Sequence, residues 1–322
     1  MNQTDTMEFS HIPVMLTECM ELLNIKPNGV YIDGTLGGAG HGSEILSRLG
    51  EGGKLIGIDQ DSDALNAAAK RLQTVETSGT FRTIKANFAD MAKVCEGIRA
   101  DGILLDIGVS SYQFDNPDRG FSYRMDGKLD MRMDQEGDLT AYHVVNTYSE
   151  RDLTRILRDY GEEKWASRIA KRIVSKRNEQ PIETTFQLVE IVKEAIPAAA
   201  RKDGGHPAKR TFQAIRIEVN RELSVLNEAI DGAMSLLKDG GRLVIITFHS
   251  LEDRIVKNKF REAERPCVCP SHFPVCVCGR ESKGHVVTGH PVVAKDKELE
   301  RNNRAHSAKV RAFERKRKEY ER

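Results

Sequence analysis

The sequence predicts an α/β fold in which a helical segment interrupts a parallel, doubly wound sheet. Short apolar stretches alternate with helical patterns over the first third of the chain, an order typical of parallel sheets. The pattern is purely helical from Asp138 to about Pro197. A long helical pattern and a strongly apolar strand at 242–248 then resume the alternation. The simplest account is one α/β domain with an insertion.

The first part of the predicted sheet has four strands, each composed largely of apolar or β-favouring residues. They cover residues 30–33, 54–59, 81–84 and 102–106. A helix is expected over 41–49, and a second follows the next strand, with Asp61 or Ser62 as its cap.

The region after Asp106 predicts the insertion. Residues 107–134 show neither the helical nor the strand period, and a loop of this length is usually functional or disordered. Helices are expected over 151–160, 162–177 and 185–196, and residues 198–209 are predicted to form a linker. We therefore expect a discontinuous domain of residues 1–112 and 211–322. Residues 113–210 would form an inserted helical domain that recognises the substrate.

The last third of the chain predicts a return to the sheet. Apolar residues at spacings of three and four indicate one long helix over 212–234, which Gly240 and Gly241 end. Ser250 is the expected cap of a further helix, with Asp253 at the N3 position of a capping box. Alternation of apolar and basic residues over 308–313 predicts a last, edge-like strand.

Composition narrows the function classes. The chain has 322 residues, with 49 Lys and Arg against 48 Asp and Glu, so its net charge of +1 gives no general attraction to nucleic acid. Residues 151–177 and 301–322 are the locally basic segments where such contacts could lie. Residues 1–10 are polar and do not resemble a signal peptide, and no apolar stretch approaches the ~20 residues of a membrane span. We therefore expect a cytoplasmic protein without a membrane partner.

The segment DGTLGGAGHG, residues 33–42, follows the first predicted strand and predicts a cofactor site. Glycines there allow a ligand to approach the backbone closely. The loop lacks the dinucleotide pattern G-x-G-x-x-G and the Gly-Lys-Ser/Thr of nucleotide triphosphatases. The carboxylate of Asp33 before the glycines would repel a pyrophosphate. It suits S-adenosylmethionine, which has an ammonium and a sulfonium and no phosphate.

Acidic residues end three of the predicted strands. Asp59 is placed to accept hydrogen bonds from ribose hydroxyls, and Asp106 to lie beside a methyl acceptor. Asn87 and Phe88 follow the third strand, where they could flank an adenine. Each acid alone could equally be a helix cap or a turn residue, but the combination with the glycine loop favours a cofactor site.

With these motifs, the chain resembles the RsmH (MraW) family of bacterial small-subunit rRNA cytosine-N4 methyltransferases. The specific matches are GILLDIGVSS at 102–111 and LDMRMD at 129–134, and the glycine loop matches as well. Further matching stretches are 11–16, 119–123, 211–217, 248–254 and 307–311.

The resemblance implies a Rossmann-like, S-adenosylmethionine-dependent methyltransferase fold with an inserted all-helical domain. It also implies methylation of a cytidine in the decoding region of 16S rRNA, in the small ribosomal subunit. By motif position, the family's cofactor contacts would fall on Ala39, Gly40, His41, Asp59, Phe88, Asp106 and Gln113.

The expected chemistry assigns a role to Asp106. The exocyclic amine of cytosine is a poor nucleophile, so catalysis should orient it and accept its hydrogen bonds as charge develops. Many amino-methyltransferases have an Asn/Asp/Ser-Pro-Pro-aromatic motif after the fourth strand, but this chain has DIGVSS at 106–111. Asp106 is therefore the catalytic candidate, with a purely cofactor-binding role as its alternative.

The target base would have to leave its stack to reach the methyl group. Aromatic residues of the irregular segment could stack on it or could anchor the loop; they are Tyr112, Phe114, Phe121 and Tyr123.

Four of the six cysteines lie close together, as Cys267-Val268-Cys269 and Cys276-Val277-Cys278. Four thiolates at this spacing suggest a structural zinc site in a reducing compartment. A redox-active pair and a loop of free thiols also fit the pattern. A catalytic metal is not expected, since methyl transfer from a sulfonium needs none.

The sequence alone leaves three rival functions open. A nicotinamide-dependent oxidoreductase shares the fold class but should have the dinucleotide pattern. A DNA amino-methyltransferase and a non-catalytic, S-adenosylmethionine-binding ribosome-assembly factor are the others. The sequence leaves open a homodimer, and it does not distinguish free rRNA from the assembled subunit as substrate.

Overall fold

A computed structural model describes residues 13–201, 205–270 and 273–316, with the backbone alone at Ser111 and Tyr112. The chain divides into two compact units. The first contains the described residues up to Gly108 and from Asn227 onward, and the second is Val109–Leu226. The expected insertion at 113–210 lies inside the second unit, and its role in substrate recognition stays a prediction.

The first unit is built on a seven-stranded sheet with the order β3-β2-β1-β4-β5-β7-β6. The first five strands are parallel, and β7 is antiparallel to both β5 and β6. The strands are β1 Val30–Asp33, β2 Lys54–Asp59, β3 Thr80–Lys85, β4 Ala100–Asp106, β5 Leu237–Thr247, β6 Gly284–Val286 and β7 Lys309–Arg315. This mixed sheet confirms the predicted α/β class.

Helices of the first unit precede the first strand or connect successive strands. They are α1 Leu16–Leu23, α2 Gly40–Ser47, α3 Ser62–Gln73, α4 Met91–Val94, α12 Ser250–Glu264 and α13 Asp296–Leu299. The Asp61 carboxylate accepts hydrogen bonds from the N–H groups of Asp63 and Ala64, which confirms it as the cap of α3. Tyr31, Ile45, Leu55 and Val310 are fully or almost fully buried in the core around the sheet.

The expectations for the last strand and for the cap of α12 are wrong. Strand β7 is not an edge, because the short strand β6 covers its outer side. The basic residue that made β7 look exposed, Arg311, is buried and forms a bidentate ion pair with Asp253, at 2.6 and 3.1 Å. Since Asp253 is used in this pair, it does not cap α12.

The cap of α12 is formed instead by His249 and Glu252. The Glu252 carboxylate accepts the N–H groups of Phe248 and His249 at 2.7 and 3.2 Å, and His249 Nδ1 accepts the N–H of Glu252 at 3.4 Å. The capping box therefore begins one residue earlier than the hydroxyl of Ser250 suggested.

The second unit is helical. Its helices are α5 Ser111–Asp115, α6 Ala141–Thr147, α7 Glu150–Asp159, α8 Ala166–Arg177, α9 Thr185–Ala195 and α10 Lys209–Asn220, and α11 Glu222–Leu236 begins here and continues into the first unit. Its core is separate from that around the sheet and includes the fully buried Ile156, Leu157, Ile169, Ile173 and Leu188.

The single long helix expected over 212–234 is broken at Arg221, which has a left-handed backbone with φ of 51°. The Asn220 amide explains the break, because it binds the Met131 carbonyl and the Met133 N–H, both at 2.8 Å. Arg216 and Glu222 then form a bidentate ion pair across the break. Polar contacts of one side chain thus outweigh an uninterrupted apolar stripe.

No helix among residues 13–201, 205–270 and 273–316 has the length and apolarity needed to cross a membrane. Several sequence features lie outside the described residues. They are the polar N-terminal segment, the first two residues of the 11–16 match, Gly204 of the linker, the Tyr112 side chain and residues 317–322 of the basic tail.

Candidate cofactor and active site

Three carboxylates meet at one edge of the sheet, where parallel strands end. Asp33 ends β1, Asp59 ends β2 and Asp106 ends β4. The strands are in parallel register, with Asp33 opposite Gly57 on one side and Leu104 on the other. Ligands of open α/β sheets bind in the crevice at this edge, so the sheet brings the three predicted acids to the expected place.

The loop between β1 and α2 is shaped to hold a ligand. Gly37 and Ala39 have left-handed backbones, with φ of 48° and 57°. A Cβ atom added at Gly38 would meet no atom of the described residues within 4 Å, so the loop is open towards them at this point. Gly40 is constrained differently, because a Cβ there would lie 2.5 Å from Pro13 Cγ. Packing against Pro13 accounts for Gly40, and its predicted contact with the cofactor remains a proposal.

Asp59 holds the loop between β1 and α2 in place, and its carboxylate can still accept further hydrogen bonds. One carboxylate oxygen accepts the Gly37 N–H at 2.8 Å, and the other accepts the Asp61 N–H at 2.9 Å. Burial raises the pKa of Asp59, while the N–H groups of Asp61 and Gly37 act in the opposite direction. Each carboxylate oxygen has a further lone pair, which is what a ribose hydroxyl would require.

Asp33 is the most enclosed of the three acids, with an exposure of only 1%. Its carboxylate accepts the Thr35 N–H at 3.2 Å. Burial raises the pKa of Asp33 to about 7, although the nearby His41 opposes the shift. This enclosure favours a role in shaping the loop, and a contact between Asp33 and the cofactor ammonium stays a prediction.

Asp106 has the most distinctive environment. Its Oδ1 atom is buried and has no hydrogen-bond partner among the described residues, whereas the side chain as a whole is 28% exposed. Burial raises the pKa of Asp106 to about 7, with Arg304 opposing the shift and Glu252 adding to it. A buried carboxylate oxygen without a partner is costly, so it marks a position for a donor from a ligand.

Thr35 is a site residue that the sequence did not indicate. Its hydroxyl accepts the backbone N–H of Asp106 at 2.6 Å and so ties the glycine loop to the end of β4. A threonine within a glycine-rich loop has no distinctive spacing, and the contact joins residues far apart in the chain. Only the pairing of β1 with β4 brings these two residues together.

His41 lies beside Asp106 in a defined orientation. Its Nε2 is 3.0 Å from the Val14 carbonyl oxygen and must donate to it, since a carbonyl can only accept. Nδ1 then faces Asp106 Oδ2 at 3.6 Å. Burial lowers the pKa of His41, which favours the neutral ring. Neutral His41 therefore presents a lone pair towards Asp106.

Asn87 and Phe88 follow β3, as expected. The Asn87 amide donates to Gln60 Oε1 at 2.8 Å and connects the segments after β3 and β2. The Phe88 side chain is half-buried, and Phe88 is the first residue of a short 3₁₀ helix. Its predicted stacking on adenine stays a prediction.

The remaining predicted cofactor residue, Gln113, belongs to the second unit. Its amide oxygen accepts the Ser110 N–H at 3.2 Å and completes a capping box at the start of α5. Phe121, proposed to stack on a base or to anchor the loop, is buried in the helical core, which favours anchoring. Phe114 and Tyr123 pack partly against that core, and Tyr123 stacks on His206 with ring centroids 4.5 Å apart.

Of the nine basic residues at 151–177, Arg155 pairs with Glu218 at 3.8 Å, and three more are neutralised within the second unit. Arg158, Arg172 and Lys176 pair with Asp159, Glu194 and Glu179. Lys164, Arg168 and Lys171 remain exposed at helical spacing along α8 and its preceding turn. Arg168 also lies over the Trp165 ring, 5.4 Å from its centroid. We call Lys164, Arg168 and Lys171 the basic strip.

The parallel sheet with its single antiparallel strand β7, the glycine loop and the strand-end acids define the class of S-adenosylmethionine-dependent methyltransferases. Within the part of the chain that the structure describes, the space beside Gly38 and the buried Asp106 oxygen without a partner fit a ligand of this kind. The model of the MraW methylase family matches residues 8–316, and the chain belongs to this family.

Relatives agree with this assignment. The chain is 58% identical over 312 residues to "Ribosomal RNA small subunit methyltransferase H" of Lachnospira eligens, covering 96% of this chain and 98% of the relative. It is 55% identical to the protein of that name from Ruminiclostridium cellulolyticum, over 96% and 99% of the two chains. A solved rRNA methylase from Streptococcus thermophilus overlaps with a TM-score of 0.40 at 9% identity, covering 94% of each chain, which adds nothing to the assignment.

Proposed function

We propose that this protein transfers a methyl group from S-adenosylmethionine to the exocyclic N4 amine of a cytidine in the decoding region of 16S rRNA. The small ribosomal subunit is the proposed context of the substrate, and the cytoplasm is the proposed compartment. The names of the full-length relatives support rRNA as the substrate. The N4 position rests on the family resemblance and on the chemistry at Asp106.

The observation that carries the proposal is the buried Oδ1 of Asp106 at the end of β4, which has no hydrogen-bond partner among residues 13–201, 205–270 and 273–316. An exocyclic amine has N–H donors that this oxygen can accept, which would hold the amine in one orientation. S-adenosylmethionine supplies the methyl group when it is bound. As the N4–carbon bond forms, positive charge develops on the amine, and a carboxylate beside it stabilises that charge.

The methylated amine must then lose one proton. A carboxyl group with a pKa of about 7, as burial gives Asp106, is a far better proton acceptor than an ordinary aspartate. The Nδ1 atom of neutral His41 lies 3.6 Å from Asp106 Oδ2, so the ring packs beside this carboxyl group. We infer that Asp106 orients the amine and takes its proton, which then passes to solvent through the exposed part of the carboxyl group.

The test compares two substitutions on the same strand. Asp106→Asn removes the charge at the proposed site, whereas Asp101→Asn changes the same residue type at the opposite end of β4. Small subunits from a strain lacking the gene are incubated with labelled S-adenosylmethionine, and the labelled nucleoside is identified by mass spectrometry. S-adenosylmethionine affinity is measured in parallel by calorimetry.

We expect label in N4-methylcytidine with the unchanged protein and with Asp101→Asn. Asp106→Asn should lower the rate by about 100-fold or more, since general-base catalysis contributes on this scale. Label in another nucleoside would overturn the acceptor and retain the enzyme class. Cofactor binding without label in any RNA would refute methyl transfer to rRNA.

The basic strip is the proposed contact with the phosphates of the rRNA. Its cations are exposed and have no acidic partner among the described residues, so they would attract the RNA backbone irrespective of sequence. A homodimer also stays a prediction, and light scattering of the purified protein would test it.

A further inference from the structure

The four clustered cysteines belong to a segment that the methyltransferase reaction does not use. The segment leaves α12 after Glu264 and returns to the sheet at Gly284. Lys283 N–H donates to the Ala263 carbonyl at 2.8 Å, which closes the base of the excursion. We call residues 265–283 the cysteine loop.

The cysteine loop has no core of its own. None of its described residues is buried, and three of its valines are exposed by 62%, 70% and 74%: Val268, Val275 and Val277. A loop of this length that buries no apolar side chain does not offset the entropy of ordering its backbone. Small structures without a core are usually held by disulfides or by a metal ion.

The sulfur atoms converge although the loop lacks a core. The four Sγ atoms all lie within 4.8 Å of one another. Cys276 is the centre, with Sγ–Sγ distances of 3.5 Å to Cys267, 3.5 Å to Cys278 and 3.9 Å to Cys269. Disulfide sulfurs would be ~2 Å apart, so these are four separate thiols.

The spacing agrees with tetrahedral coordination. With a zinc–sulfur bond of ~2.3 Å, the sulfurs of a tetrahedral site are ~3.8 Å apart, which is close to the distances around Cys276. The Val277 N–H also points to Cys269 Sγ at 3.3 Å, a donor that stabilises a thiolate. Gly279, directly after the last cysteine, has φ of 63° and supplies the turn that few other residues tolerate.

We propose that Cys267, Cys269, Cys276 and Cys278 bind one zinc ion as a closed structural site. Four thiolates fill the tetrahedral shell and leave no position for a substrate, so the ion has no part in methyl transfer. Its role is to hold the cysteine loop in one conformation and to display the exposed valines. No other cysteine contributes, because Cys19 and Cys95 are buried in the sheet-containing unit.

The experiment measures zinc per chain in the full-length protein, purified under reducing conditions from cells grown with zinc. Four proteins are compared: the unchanged chain, Cys276→Ser, the double substitution Cys276→Ser/Cys278→Ser, and Cys95→Ala as the matched control. Cobalt(II) titration gives a second readout, since tetrahedral thiolate coordination produces sulfur-to-metal charge-transfer and visible ligand-field bands. S-adenosylmethionine binding by calorimetry shows that each variant is folded.

We expect one zinc per chain in the unchanged protein and in Cys95→Ala. In the double variant, zinc and the cobalt bands should be lost while S-adenosylmethionine affinity is retained. Zinc retained by that variant would place the ion elsewhere and overturn the proposal. Disulfides found after thiols are blocked in intact cells, or no zinc and no cobalt bands in the reduced protein, would overturn it as well. Because cofactor binding is scored separately, failure here leaves the proposed methyl transfer untouched.

Discussion

At the scale of single residues, the dominant effect is the desolvation of carboxylates at the ends of strands. Asp33, almost fully enclosed between β1 and α2, has a pKa of about 7 because burial disfavours its charged form. Between pH 4 and pH 7 the unfolded chain releases this proton and the folded chain keeps it. The contribution of Asp33 to stability therefore falls as pH rises through this range.

The substitution Asp33→Asn tests this effect, because asparagine is nearly the same size and carries no charge. We expect the free energy of unfolding of the variant to exceed that of the unchanged protein, and the difference should increase between pH 5 and pH 8. The gain should be on the order of a few kcal/mol at most. Urea denaturation at several pH values measures it. A constant difference across this range would contradict the raised pKa of Asp33.

The pKa of Asp106 predicts the pH dependence of catalysis. A proton acceptor must be ionised, so kcat/KM, which reports the pKa of the free enzyme, should rise with pH through about 7 and then level off. Single-turnover methylation of small subunits between pH 5.5 and pH 9 would show this limb. A rate that is already constant at pH 5.5 would exclude Asp106 as the group that titrates.

At the scale of elements, the cap of α12 is coupled to the active site. Glu252 accepts the N–H groups of Phe248 and His249, and its charge also raises the pKa of Asp106. Glu252→Gln can retain the capping hydrogen bonds without the charge, whereas Glu252→Ala removes both.

These two variants separate the roles of Glu252. We expect both to move the midpoint of the pH–rate profile downwards. Only Glu252→Ala should also lower the free energy of unfolding, by roughly 1 kcal/mol, as for other helix caps that are removed. Equal stability of the two variants would show that the cap contributes nothing.

The basic strip on α8 and its preceding turn leads to a prediction about rRNA affinity. Charge reversal of Lys164, Arg168 and Lys171 should weaken binding and make it less dependent on salt. The slope of log affinity against log salt should fall by about one for each phosphate that the strip no longer neutralises. Lys54→Glu and Lys70→Glu are the control, compared per reversed charge, since these exposed residues lie at the start of β2 and late in α3. Equal weakening by strip and control variants would indicate a general charge effect.

Sequence patterns predicted the elements better than their contacts. Apolar periodicity was sufficient for β1, β2, β4 and α9, because burial dictates both the pattern and the element. It failed at Arg221, where the Asn220 amide interrupts the helix, and at β7, where Arg311 is buried by pairing with Asp253. Both failures depend on partners remote in sequence, which a local period does not encode.

The candidate site shows the same division. The acids at strand ends were predictable because the carboxyl ends of parallel strands meet at one edge. The role of Thr35 was not predictable, since its hydroxyl accepts the Asp106 N–H only because β1 pairs with β4. The different constraint on Gly40, its packing against Pro13, likewise appears only in the folded chain.

At the scale of the whole molecule, the second unit has the features of an independent domain. It is contiguous in sequence and has a core separate from that of the sheet, with Ile156, Ile169 and Leu188 fully buried. We expect residues 109–226 alone to unfold cooperatively and to give a dispersed NMR spectrum. Ile169→Ala in that fragment should cost about 2–5 kcal/mol, and a collapsed fragment without cooperative unfolding would refute its independence.

The position of β7 determines when the first unit can be completed during synthesis. The ribosome delivers β1 to β4 first, then the whole second unit, and only afterwards the strand that lies between β5 and β6. We expect the helical unit to fold on the nascent chain before β7 has been made. During that time, one side of β5 would lack its hydrogen-bonding partner. A chain interrupted before Lys309 would expose that hydrogen-bonding edge, which makes it a target for chaperones and for aggregation.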